Sequence, residues 1–230
     1  AYSVIVTTTI FAFFLSAITG DRSATVLKGL ADSIVGLSLV VLAPILGTMS
    51  DYRDAKKRFF SAFLSLGIAS TVALFFLSHG QWLPALIAYG LSSVGFSGAN
   101  IFYDAFLPDM TTEDRMDSLS AAGFGWGYIA SVIPFVGVIG LVFFATSNDA
   151  LDVVLAYRIA FVITAVWWAV FTIPFLIHAK QKHFVDASPT PVKDSFKRLA
   201  ETFAKIKLHK AAFVFLIAYL FYNEGVSSVI

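Results

Sequence analysis

The sequence predicts an all-α integral membrane fold, and three observations carry the prediction. Hydrophobic residues fill 58% of the 230 positions and charged residues only 13%, about half the roughly 25% charge of soluble domains. Long stretches hold no formal charge; none occurs from Phe59 to Tyr103, about twice the ~20 residues that cross a hydrocarbon core as a helix. Short polar turns recur between these apolar runs. The net charge of +1 implies no bulk attraction to nucleic acid. Absence of cysteine excludes disulfides, thiolate metal sites and a Cys nucleophile.

Residues 1–20 contain no Asp, Glu, Lys or Arg and make the first span. Asp21, Arg22 and Lys28 mark a water-facing loop, and a second span runs from about Thr25 to Met49. A basic turn follows, with Asp51, Arg53, Lys56, Lys57 and Arg58. The uncharged stretch after it must be a hairpin, broken at Ser78-His79-Gly80-Gln81-Trp82-Leu83-Pro84. Spans three and four then cover about 59–78 and 83–107. Span five covers about 118–146 and carries Gly123, Gly125, Gly127, Gly137 and Gly140, expected to be packing surfaces. Asn148, Asp149 and Asp152 form the next loop, and span six covers about 155–178.

A polar segment then runs to Lys210, and a seventh span starts at Ala211. Thr190 and Pro191 suit an N-cap and first helical position. Val192, Phe196, Leu199, Phe203 and Ile206 form one apolar stripe beside five basic residues. This stripe fits both a helix lying on an anionic membrane surface and a linker helix packed on the bundle. Expected domains are therefore a six-helix bundle over 1–178, a linker over 179–210 and the first helix of a second bundle over 211–230. The chain starts and ends inside apolar runs, which reads as a piece of a longer protein. Basic residues cluster in the loops after spans two, four and six, so these loops and the N-terminus are expected to face the cytoplasm.

Several ordered segments carry a resemblance. Gly47-x-x-x-Asp51-Tyr-Arg53, followed by Lys56-Lys57-Arg58, resembles the signature loop between helices two and three of the major facilitator superfamily. Asp54 or Ala55 stands where that signature has its second glycine. Tyr103-Asp104-Ala-Phe-Leu-Pro108-Asp109, Gly123-Phe-Gly125-Trp-Gly127-Tyr128, Trp167-Trp168-x-x-Phe171-x-x-Pro174 and Tyr222-Asn223-Glu224-Gly225 resemble one branch of it. That branch includes autophagy-linked vacuolar amino-acid effluxers and uncharacterised bacterial permeases. The resemblance implies the N-terminal half of a secondary transporter plus the start of helix seven. Its partners would be a small polar solute such as an amino acid, protons, the lipid bilayer and a C-terminal half of the same protein.

Gating and coupling candidates follow. Gly47 permits close helix contact. The resemblance implies that Asp51, with Arg53, Lys57 and Arg58, forms a latch, pairing with Arg115 or with a neighbouring helix N-terminus. Glu224 lies 13 residues past Ala211, about 20 Å into a span, where a carboxylate is a candidate proton carrier. Asp104 falls at the cytoplasmic end of span four, as a gate residue paired with Arg115. Pocket candidates are Thr8, Asn100, Tyr222 and Asn223; Thr7, Thr8 and Thr9 are equally suited to bonding their own backbone. Lys28, Asp32 and Arg158 read as ion-paired charges at the outer ends.

An enzyme is disfavoured. Gly95-Phe96-Ser97-Gly98 has the form of an intramembrane serine protease motif, but His178, the candidate base, lies far off in depth. Small residues in a packed helix explain that segment better. There is no phosphate-cradling loop and no metal-ligand cluster in the sequence, so no cofactor or metal is implied.

Overall fold

In the computed structural model the described residues are 1–20, 23–147 and 151–185, with isolated positions between 196 and 221. These form an all-α architecture. A π-helical turn, Ser3–Ile10, continues into α1, Phe11–Thr19. Then come α2 (Ala24–Ser50), α3 (Ala55–Ala73), α4 (Trp82–Ala105), the short α5 (Leu107–Met110), α6 (Met116–Ser147) and α7 (Val153–His178). The six expected spans are thus matched within a few residues. The helix that differs most is α3: it begins at Ala55, so the basic run 56–58 is already helical, and it ends at Ala73, followed by a 3-10 turn over Leu74–Phe76. Of the expected amphipathic linker helix and seventh span only isolated positions are described, 196, 197, 200, 201, 213–215, 218 and 221, and these are helical; their other residues lie outside the described ones.

Among the described residues four helices are long and apolar enough to cross a membrane, and α2 makes a fifth if its bent halves are one span. The axes of Ala24–Val40 and Leu42–Ser50 meet at 44°. Pro44 is the cause: it has no N–H for the carbonyl of Val40, and its ring crowds that carbonyl. The first apolar helix, Ser3–Thr19, is shorter, near the ~17-residue lower limit for a span. Its threonines bond to their own backbone: Thr8 Oγ1 donates to Ser3 O (3.2 Å) and Thr9 Oγ1 to Val4 O (2.8 Å). Gly20 ends α1 in the left-handed region, φ 67°, and donates to Ser16 O.

The first apolar helix is the core of the bundle. Ile5, Val6, Phe11, Phe14 and Leu15 are fully buried. Phe11 stacks on Tyr89 of α4 at 3.9 Å, and Phe14 meets Phe161 of α7 edge-on at 5.1 Å. Lipid tails are as apolar as these side chains, so close packing and hydrogen bonds hold the helices together, not the hydrophobic effect. Both are visible. A Cβ on Gly95 would lie 2.4 Å from Gly67 N, and one on Gly98 would run into the Phe63 ring. Glycine is there because α3 and α4 touch. This is the packing role expected for Gly95 and Gly98, and Ser92 beside them hydrogen-bonds Thr71 of α3 (2.6 Å) and Tyr2 (2.7 Å). His178 faces its own helix, with Nδ1 2.8 Å from Pro174 O.

The glycines of α6 behave differently from expectation. A Cβ on Gly125, Gly127, Gly137 or Gly140 would meet nothing within 4 Å among the described residues, and on Gly123 would reach only Tyr103 Oη at 3.9 Å. They sit on a helix whose Phe124, Trp126, Tyr128 and Phe143 are exposed. An apolar exterior of this extent is what lipid, not water, accommodates.

Candidate functional site

Local sequence brings four segments together at one end of the bundle. α2 stops at Ser50, and Asp51 to Asp54 turn the chain into α3. Asp54 takes φ 59°, in the left-handed region, which costs an ordinary residue about 1–2 kcal/mol and glycine nothing. Asp54 therefore occupies the backbone conformation that the signature's second glycine would serve, and the tight turn survives without it. Asp54→Gly is expected to raise stability by up to about 1 kcal/mol, read as a higher unfolding temperature in detergent; a lower one would refute the strain argument.

Lys56 lies in the first turn of α3 and is buried. Its Nζ donates to Asp109 Oδ2 at 2.8 Å and to Ala105 O, at the end of α4, at 2.9 Å. The Asp109 side chain is 0% exposed and that of Lys56 7%. Asp109 sits in α5, the turn that follows α4, with Pro108 at its start. The second carboxylate oxygen of Asp109 is filled from residues just beyond α7. Lys182 N (3.0 Å) and His183 N (2.8 Å) donate to Oδ1, and His183 Nδ1 lies 3.0 Å from it.

The segment 179–185 is thus a strap across the end of the bundle. Val185 N donates to Asp51 O at 2.7 Å, and Val185 pairs with Tyr52 as a parallel β-bridge. Gln181 Nε2 donates to Ser50 O at 3.1 Å. The Arg53 guanidinium lies 4.2 Å from the Phe184 ring centroid, a cation–π contact. Burial pushes the Asp109 carboxyl up, but the hydrogen bonds from Lys56, from His183 and from the Lys182 N–H outweigh it. Its pKa is net lowered from the ordinary 3.8, so Asp109 is an anion at neutral pH and Lys56 its counter-ion.

The sequence-derived candidates fall around this cluster. Asp51 contributes its backbone carbonyl to the strap and Arg53 its guanidinium. Lys57 and Arg58 are exposed; Lys56 is the member of the basic run that turns inward. A Cβ on Gly47 would meet nothing within 4 Å, so the described residues make no close helix contact there. Asp104 is exposed in the last turn of α4, and Arg115 is exposed and pairs with no described carboxylate. The expected Asp104–Arg115 pair is therefore not formed; Asp109, five residues on, is the carboxylate in use. Asn100 is exposed on α4, and Thr8 is exposed with its hydroxyl turned to Ser3 O. Tyr222, Asn223 and Glu224 lie outside the described residues.

Lys28 and Asp32 do pair, at 2.7 Å, and Tyr89 Oη donates to Asp32 at 2.6 Å. This group sits 18 residues before Ser50 on α2, about 27 Å away at 1.5 Å per residue. Arg158 does not join it. Its Nε donates to Phe75 O and its guanidinium stacks 4.9 Å from the Phe75 ring centroid.

Comparison with known proteins gives the family. The sequence profile described as "Vacuole effluxer Atg22 like" matches residues 13–118 and 111–230. The chain is 43% identical over 236 residues to a Bacillus subtilis (strain 168) protein named "Uncharacterized MFS-type transporter YxiO", covering 100% of this chain and 55% of that protein. It is 23% identical over 265 residues to "Autophagy-related protein 22" of Coccidioides immitis (strain RS), covering 86% of this chain and 42% of the relative. The chain spans about half the length of these relatives. No solved structure matches it. With its apolar helices and its signature turn closed by a buried ion pair, the chain belongs to the Atg22-like vacuole effluxer family, within the major facilitator superfamily.

Proposed function

We propose that the whole protein is a secondary transporter that moves a small polar solute by alternating access between two bundles, with substrate near the bilayer midplane. The first bundle and its strap are the part described here. The observation that carries the reading is the Lys56–Asp109 pair, buried among the strap and the ends of two helices. Such a pair is made in one arrangement of the bundle ends and broken in another, so it biases the equilibrium between states. The basic residues at this end of the bundle support a cytoplasmic position for it. Amino acids are the first solute class to test, with protons as coupling ion and Glu224 as their carrier.

Full-length protein reconstituted in vesicles is expected to accumulate a radiolabelled amino acid when a proton gradient is imposed. Glu224→Gln is expected to abolish the gradient-driven component and leave solute counterflow intact. Unchanged pH dependence in that variant would remove Glu224 as carrier. An intact fold with no flux of any amino acid would instead favour a transport-dead sensor that kept the architecture.

A further inference from the structure

A groove of about 620 Å³ runs along α7, between it and Val72, Phe75 and Phe76 at and just beyond the end of α3. Phe75 and Phe76 wall one end, and Val166, Trp167, Val170 and Phe171 continue it along α7. Its volume is in the roughly 300–1,000 Å³ range of small-molecule sites, but its lining is almost wholly apolar. Along α7 the lining extends from Ile159 to Phe171, about 18 Å at 1.5 Å per residue. One leaflet of hydrocarbon is about 15 Å deep, half of the ~30 Å core. The groove is therefore as long as one acyl chain in its own leaflet.

Its rim is not apolar. Arg158 precedes Ile159 and stacks on Phe75, so the guanidinium sits at the end of the groove. It lies five residues into α7, about 7.5 Å along the helix axis. That depth is within snorkelling reach of the headgroup layer. Nε is used by the Phe75 carbonyl. The terminal nitrogens donate to no described residue, and no described carboxylate pairs with the group. A guanidinium presents a planar fork matched to phosphate oxygens.

The geometry points to a binding site for an anionic glycerophospholipid, its phosphate on the Arg158 guanidinium and one acyl chain along the Phe75–Phe171 groove. A cationic rim joined to an apolar slot one leaflet long is complementary to that amphipath. A covering protein helix would leave the guanidinium without an anion unless it brought a carboxylate to the same depth.

The test uses full-length protein reconstituted in phosphatidylcholine vesicles containing increasing fractions of bromo-acyl phosphatidylglycerol, with bromo-acyl phosphatidylcholine as the comparison. Trp167 lines the groove, so the difference in fluorescence quenching between the protein and its Trp167→Phe variant reports the acyl chain in it. Half-maximal Trp167 quenching is expected at about fivefold lower mole fraction of the anionic lipid, the factor given by one basic residue beside an anionic headgroup. Arg158→Gln is expected to erase that preference, and Arg158→Lys to retain part of it. Val166→Phe narrows the slot without touching the cation and is expected to weaken Trp167 quenching by both lipids. Equal quenching by the two lipids in the unaltered protein would overturn the proposal. So would a preference that persists in Arg158→Gln. Absence of quenching by either lipid would place protein, a second copy or another segment, in the groove and equally overturn it.

Discussion

Asp109→Ala is expected to lower stability by about 3–5 kcal/mol, the cost of removing one partner from a buried ion pair. The loss arises from what stays behind. Lys56 keeps a buried ammonium with Ala105 O as its remaining described hydrogen-bond acceptor and the Phe106 ring 5.8 Å away, and the N–H groups of Lys182 and His183 lose their acceptor. Asp109→Asn keeps an acceptor oxygen for the strap and should be milder. The double variant Lys56→Met, Asp109→Asn removes both charges and should recover about half of the loss. Denaturation of these proteins and of the single variant Lys56→Met in one detergent checks this; strictly additive losses of Lys56→Met and Asp109→Asn in the double variant would show that the two side chains are not coupled. The pH dependence has a definite sign. The pKa of Asp109 is lower folded than unfolded. Its contribution is therefore fully present above the usual carboxylate range and is lost as pH falls through the folded value, below about 4. Asp109→Asn should flatten that acid limb.

Gly95→Val is expected to cost about 3 kcal/mol or more, the upper range for overpacking. Its Cβ would lie 2.4 Å from Gly67 N, 2.5 Å from Gly67 Cα and 2.8 Å from Phe63 O. All three are backbone atoms, so no rotamer change relieves the clash and the two helices must separate. Separation also strains the Thr71–Ser92 bond, which spans the same interface at 2.6 Å. Gly125→Val is the matched control. Its Cβ meets nothing within 4 Å, and its effect should stay within about 0.5 kcal/mol. Expression yield and unfolding temperature of both variants would decide the matter; equal losses would mean that valine in a helix, not the α3–α4 contact, is responsible.

The spans were legible because charge-free runs of sufficient length have few alternatives. The buried Lys56–Asp109 cluster was only half legible. Lys56, Phe60 and Leu64 recur at four-residue spacing and are all buried on one face of α3, so helical periodicity alone separates Lys56 from its neighbours Lys57 and Arg58. Reading the run as a single basic turn, with the helix starting only at Phe59, hid that register. Asp109 was obscured by Pro108, which marks it as a loop residue although α5 buries it. The strap left no pattern to read, because three of its contacts use main-chain N–H groups, which any sequence supplies. Arg158 looked like one half of an ion pair; its use of a carbonyl and a ring could not be inferred without the approach of the turn after α3 to α7.

The strap also sets how force enters the bundle. Its fastenings are staggered along the chain: Gln181 to Ser50, then Lys182 and His183 to Asp109, then Val185 to Asp51. Tension arriving from residues beyond Val185 falls first on the Val185–Asp51 bond. Only after that bond parts does it reach Asp109, and only then the Lys56 ammonium beneath. A pull from that direction peels the fastenings in sequence instead of shearing them together: the buried ion pair is loaded only after the Val185–Asp51 bond parts, and the Gln181–Ser50 bond after that.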